Sequence, residues 1–368
     1  MPHDPRLRGT PRIARSPKIT SPGRLSLGAK SRVSWTTEKT NITEKEEAEN
    51  AEKEAVAVKN PIEYFKMHRK CEQLDFTGCI LALDTTCKIS RKLESCVNLV
   101  RLCLANSHME DKSGEALAKG LQGCCLPLKE LDMSGNTLGK NAMSALGEML
   151  NLGQNLEKLN ISRNDLTDQD VEIFLNCFSG KNGLKDLDLS NNILCDQTAK
   201  RLCVVLENNL TLEKLSIASN QLEASGLLAM QPGLRKNRTL LYLNISWNYL
   251  YDTGAEILGE IIGENESLTE ISACGNLFSE SAANWLAKGV ANNSKLKILS
   301  IGHNLLRNLG AYEFLNVLFE TNSTAIVLEM LDINGTLVDR GFRELIEIGL
   351  PEKMCSLKIV NFSVVEHL

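Results

Sequence analysis

The chain is expected to fold as an α/β solenoid, with a parallel sheet on a concave face and one helix per repeat behind it. Two observations predict this. A phrase recurs at a constant interval, as LKELDMSGNTL from Leu128, LEKLNISRNDL from Leu156, LKDLDLSNNIL from Leu184 and LEKLSIASNQL from Leu212. It continues as LLYLNISWNYL from Leu240, LTEISACGNLF from Leu268 and LKILSIGHNLL from Leu296. After each phrase the apolar residues change period. Leu250 is followed by Gly254, Ala255, Leu258 and Ile262, and the same offsets give Ala142, Met143, Leu146 and Leu150. Alternation within the phrase reads as a strand, and steps of three and four read as one apolar helix face.

The phrase has the form LxxLxLxxNxL. Divergent copies start at Cys71, Leu99 and Leu328, and a final LKIVNF starts at Leu357. With the copy at Leu99 counted as repeat one, repeat two starts at Leu128 and repeat six at Leu240. The pattern and its strand-then-helix period resemble the ribonuclease-inhibitor subtype of the leucine-rich repeat proteins. That subtype also covers Ran GTPase-activating proteins, the sensor halves of NOD-like receptors and leucine-rich subunits of the axonemal dynein regulatory complex. The resemblance spans residues 71–368. It implies a right-handed horseshoe with a concave parallel sheet and convex helices, and it says little about function.

Each element has a local reason. Residues from Pro61 (PIEYFKMHRK) are expected as a short capping helix, because proline suits a first helical position. The inward leucines of each strand bury against the helix, and the residues between them face the concave side. Asn136, Asn164, Asn192, Asn220, Asn248, Asn276 and Asn304 form a column where the chain leaves the strand. A buried amide there is expected to satisfy backbone groups of its own and the next repeat, a structural role. The sequons at Asn160 and Asn244 fall in strands and read as accidents of the repeat. Pro232-Gly233 falls inside the helix of repeat five, so a short or broken helix is expected. A longer loop is expected around Glu320–Ile326, because the step from Leu296 to Leu328 exceeds every other step between phrases. The last strand is expected over Lys358–Phe362, as a thinly capped edge.

Residues 1–60 are a different material. Nine Lys or Arg oppose Asp4 and Glu38 within residues 1–40, and five of the nine prolines lie between Pro2 and Pro22. A disordered basic tail is expected, followed by an acidic, Ala-rich linker from Thr43. Thr10, Ser16 and Ser21 each precede a proline and are candidate phosphorylation sites. The whole chain carries −5, so the repeat body is strongly acidic. Nucleic acid is expected as a partner only weakly, through the tail.

No stretch suggests a membrane span or a secretory signal, and the twelve cysteines lie scattered in the repeat grid. A reducing compartment is expected: the cytoplasm, or the axoneme or nucleus. Without a CxxC pair no zinc site is expected, and no cofactor motif is present. His303 sits on the strand-exit face near Cys274, with no third group to orient a nucleophilic pair.

The candidate surface is for binding. Glu130, Asp132, Asp186 and Asp188 project to the concave face beside Lys129, Lys158, Lys185 and Lys214. Repeat six concentrates aromatics: Tyr242 and Trp247 are read at outward strand positions, with Tyr249 and Tyr251 in the exit loop. Leu241, Ile298 and Met330 add apolar character. Tyr and Trp are common anchors of binding hot spots. The expectation is a non-catalytic scaffold that binds a protein partner on its concave face, with an axonemal assembly among the settings the resemblance implies. The alternative is a Ran-type GTPase activator, with Arg101 and Arg163 as exposed candidates. A nuclease inhibitor is a third reading, poorly matched by the low Trp content of the face.

Overall fold

The computed structural model describes residues 60–152, 155–178, 183–321, 326–350, 352–354 and 356–365. Thr10, Ser16, Ser21 and the rest of the expected tail except Asn60 lie outside the described residues, as do residues 322–325 of the expected longer loop.

Eleven short strands form one open parallel sheet. They are β1 (Gln73–Asp75), β2 (Arg101–Cys103), β3 (Glu130–Asp132), β4 (Lys158–Asn160), β5 (Asp186–Asp188) and β6 (Lys214–Ser216). Then come β7 (Tyr242–Asn244), β8 (Glu270–Ser272), β9 (Ile298–Ser300), β10 (Met330–Asp332) and, at the far edge, β12 (Lys358–Val360). The register pairs equivalent residues of neighbouring phrases, so Leu131, Leu159, Leu187, Leu215 and Leu243 stack in one column. Each is buried to 1% exposure or less. A leucine so enclosed stabilises the fold by about 1.5–3 kcal/mol. One repeat cannot close this column, but a stack shares it as a continuous core.

The helices lie behind the sheet. They are α1 (Pro61–His68), α2 (Leu83–Ser90), α3 (Asp111–Gln122), α4 (Lys140–Asn151), α5 (Asp168–Asn176) and α6 (Asp196–Asn208). The array continues through α7 (Ala224–Lys236), α8 (Tyr251–Glu264), α9 (Ala282–Asn292), α10 (Arg307–Glu320) and α11 (Arg340–Ile348). Asn60 caps α1 by accepting from the Glu63 N–H, and Phe65 enters the core beside the first repeat.

Two expectations are corrected. The helix at Pro232 is neither short nor broken: α7 runs 13 residues with Pro232 inside it. The proline ring is exposed, while Met230, Gln231, Gly233 and Leu234 on either side are buried and hold both halves in line. Gly233 is needed there, because an added Cβ would stand 2.5 Å from the Cys203 carbonyl oxygen of α6. The last strand is also shorter than Lys358–Phe362. It ends at Val360, the chain turns through Asn361 at φ 63°, and β13 (Ser363–Val365) pairs with β11 (Leu337–Asp339) in a second small sheet.

Candidate interaction surface

Three rows of polar side chains tie each repeat to the next. In the first, the Asn192 side-chain oxygen accepts from the Asn164 and Leu166 N–H groups at 3.0 and 3.1 Å. Its amide donates to the Ile161 and Leu189 carbonyls at 3.3 and 2.9 Å. Asn136, Asn164, Asn220, Asn248 and Asn304 bridge equivalent backbone groups. Asn276 departs from them. It is fully buried, and its side-chain oxygen has no hydrogen-bond partner among the described residues.

The other two rows escape a reading of the phrase alone. Asn209, Asn237, Asn265 and Asn293 recur at the same interval at the C-terminal ends of helices and are buried. Asn237 accepts from the Leu240 N–H and donates to the Leu206 carbonyl of the preceding repeat. Their signal in the sequence is a second asparagine three positions before the phrases at Leu212, Leu240, Leu268 and Leu296. At the other end of the helices, Asp111, Asp168, Asp196 and Asp252 accept from N–H groups that open the next repeat's helix segment. Such caps satisfy donors that a helix cannot pair internally. Burial pushes the Asp252 carboxyl up, but hydrogen bonds from Ser279 and Ser281 outweigh it and hold the group below its ordinary value.

The exposed strand face divides at repeat six. In repeats two to five the second and third phrase positions form a checkerboard: Lys129 and Glu130, Glu157 and Lys158, Lys185 and Asp186, Glu213 and Lys214. The register sets opposite charges side by side on adjacent strands. Glu157 takes Lys129 and Lys185 at 3.0 Å each, and Glu130 takes Lys158 at 2.9 Å and Arg101 at 3.6 Å. Hydrogen bonds from Lys129 and Lys185 hold the Glu157 carboxyl low, and Glu130 raises the Lys158 ammonium. Asp186 is the exception, since burial pushes its carboxyl up more than Lys214 and Lys158 pull it down. Glu130, Asp132, Asp186 and Asp188 do converge, around a cavity of about 350 Å³ shared with Arg101 and Lys158. Asp132 and Asp188 also close the turn after their strands, accepting from Ser134 and Ser190 N–H groups.

At repeat six the checkerboard gives way to Leu241 and Tyr242. Tyr242 is half-buried in β7, and burial raises its phenol. Ile298 and Met330 take the equivalent places on β9 and β10 and are partly buried. Trp247 is not on the strand. It lies in the turn after β7 with φ 57°, the left-handed conformation that Arg163, Asn191, Ser219 and His303 hold at the same phrase position. Its ring lies over Gly275, where an added Cβ would meet ring carbons at 2.5 Å, and reaches the His303 ring at 5.5 Å. The ring partner of His303 is thus Trp247, two repeats back.

Tyr251 is not in the loop but opens α8, with φ 53°, and its N–H bonds to the Asn276 carbonyl. That rerouting accompanies the orphaned Asn276 side-chain oxygen. Trp247, Tyr249 and Tyr251 are about half exposed, at 54%, 48% and 52%. Tyr249 also begins a row that the sequence reading missed. Leu277, Leu305 and Leu337 occupy the same phrase position in the next three repeats, and all are exposed. The signal was an apolar residue directly after the exit asparagine or its substitute.

Among the described residues no group of His, Cys, Asp or Glu could hold a metal ion, and no helix is long and apolar enough to cross a membrane. Eleven described cysteines are free thiols.

Several known proteins are similar to all or part of the chain. A stretch of 70 residues, 19% of this chain, is 33% identical to RAN GTPase-activating protein 2 of Arabidopsis thaliana; it spans 13% of that protein's length. An internalin of Listeria monocytogenes superposes with a TM-score of 0.44 at 17% identity, over 80% of this chain and 82% of that one. A chain in the crystal structure of the Rad7 and Elc1 complex in yeast gives 0.40 at 16% identity, over 90% and 98%. The family profile described as Leucine Rich repeat matches residues 124–147, 154–172, 208–230 and 236–259. Those matches fall within the stacked array of strands and helices, and the chain is accordingly a leucine-rich repeat protein.

Proposed function

We propose that this protein is a non-catalytic scaffold that binds a protein partner at repeat six, through the concave face and the adjoining strand-exit turn. The observation that carries this is the aromatic group Tyr242, Trp247, Tyr249 and Tyr251. Three of its members, Trp247, Tyr249 and Tyr251, are about half exposed, close to the buried Asn276 whose side-chain oxygen has no hydrogen-bond partner among the described residues. Leu241 and Ile298 extend the apolar contact, and Glu130, Asp132, Asp186 and Asp188 steer the partner's charge. The axonemal setting rests on the repeat resemblance alone.

Affinity capture with quantitative mass spectrometry, comparing wild type with Tyr242→Ala/Trp247→Ala, tests the reading. Loss of the same few partners by a variant that keeps its melting temperature supports it. An unchanged partner set overturns it.

The second reading is a Ran-type GTPase activator, favoured by the 33% identical stretch. Arg101 is engaged with Glu130, whereas Arg163 stands in an exposed turn at φ 56°. Stimulation of GTP hydrolysis by Ran that Arg163→Ala abolishes would install this reading in place of the first.

A further inference from the structure

We propose that the strand-exit rim of repeats six to nine is a second docking surface, whose partner is a basic amphipathic helix. The proposal rests on the scaffold reading and goes beyond it in naming an adjoining surface, which meets the first at Tyr249, and the chemistry of what covers it. Tyr249, Leu277, Leu305 and Leu337 expose one apolar side chain per repeat on consecutive rungs of the array. Beside this row, a cavity of about 770 Å³ opens between α9 and α10. Its apolar wall is Trp285, Leu305 and Leu309, which are 41%, 53% and 62% exposed. Lys288 lies 5.1 Å from the Trp285 ring centre, and Asn284 donates to Glu313 at 2.9 Å. The wall is therefore held in place, yet it remains open to solvent.

The spacing selects a helix. Neighbouring strands of a sheet lie about 4.8 Å apart, and the row takes one step per strand. Residues three and four apart on a helix rise about 4.5 and 6 Å. Same-face residues of an extended strand rise about 6.7 Å and fall out of step. Strand addition would also need free backbone donors. Here the Tyr249 N–H is bonded to the Leu222 carbonyl at 2.8 Å and the Leu305 N–H to the Phe278 carbonyl at 2.7 Å.

Charge selects a basic partner. Glu223, Asp252, Glu280 and Glu313 border the row or the cavity, against Lys288 and Arg307. Arg307 is engaged with Glu280 at 3.6 Å. The rim is left acidic, so lysine or arginine beside the helix's apolar stripe complements it and glutamate is repelled.

The test uses the full chain and a fluorescein-labelled peptide of about 18 residues, long enough to populate a helix. The peptide carries leucine at i, i+4, i+7 and i+11 with lysine on both flanks, and a second peptide replaces every lysine with glutamate. Anisotropy titrations at about 0.15 M salt are expected to give saturable binding of the lysine peptide. Binding is expected to weaken at least about tenfold for the glutamate peptide and for Leu305→Ser/Leu309→Ser. Val204→Ser, an exposed apolar residue on α6, is expected to change nothing.

No saturable binding, equal binding of both peptides, or indifference to the Leu305/Leu309 change overturns the proposal. Failure here is distinguishable from failure of the scaffold reading. If Tyr242→Ala/Trp247→Ala still loses native partners, only the rim proposal falls.

Discussion

Repeats two to five and repeats six to nine share one backbone plan and expose different chemistry. The first group satisfies its surface charges across the strands, as Glu157 does with a lysine on each side. Paired, solvated charges of that kind add little to stability. The second group leaves Trp247, Tyr249, Tyr251, Leu277 and Leu305 open. One constant period thus carries a common core in both groups, while the positions between core residues set which side chains each half exposes.

The largest effect expected from breaking this comparison concerns the exit asparagines. Asn192→Ala removes the acceptor of two buried backbone N–H groups, at about 1–3 kcal/mol for each group left unpaired. Asn276→Ala removes an acceptor that has no partner, so its thermal melt should fall clearly less. Equal losses would mean that the rerouted turn of repeat six carries no special cost. Gly275→Ala comes next. Its Cβ would press into the Trp247 ring from a backbone at φ 63°, costing about 1–3 kcal/mol and displacing the aromatic platform. Melting temperature and partner capture should fall together.

Trp247→Gly sharpens the contrast between stability and binding. Relief of the left-handed strain offsets the lost stacking on His303, so stability should change by no more than about 1 kcal/mol. Partner capture should still fall by about tenfold or more. A large stability loss with capture intact would make the tryptophan a packing residue.

The smallest effects lie in the checkerboard and depend on pH. The Glu157 carboxyl is depressed in the fold from a reference near 4.5, so its contribution is present above that pH and lost as pH falls through the lower folded value. The Asp186 carboxyl is raised above its reference of 3.8, so ionising it opposes folding, and that penalty fades as pH falls through the folded value. Glu157→Gln should therefore lower the melting temperature at pH 7 and Asp186→Asn should raise it. Both differences should shrink in acid.

The fold class and the family were legible because burial imposes a period. Leucines at the first, fourth and sixth phrase positions can serve only a strand, and apolar residues at steps of three and four only a helix. The exit asparagines stood out for the same reason. Their counterparts at Asn209, Asn237, Asn265 and Asn293 were overlooked because they precede the phrase instead of lying within it. The aromatic group was visible as a concentration of Trp and Tyr, but its geometry was not. Spacing alone put Trp247 on the strand and Tyr251 in a loop. The contact of Trp247 with His303 two repeats away and the orphaned Asn276 oxygen depend on how successive turns stack. Pro232 was misread for a similar reason, since local propensity argued for a break that buried neighbours on both sides override.

The sequence by itself determined the repeat length, the succession of strand and helix, the core leucines and a strand face that is more apolar from repeat six onward. Those follow from the chain's need to bury one face of each element, which a linear pattern records. Only the tertiary structure decided which charges meet across strands, which side chain covers which glycine, and where an open groove remains between α9 and α10. Those depend on contacts between residues a full repeat apart in the chain, and no local pattern specifies the three-dimensional offset that brings them together.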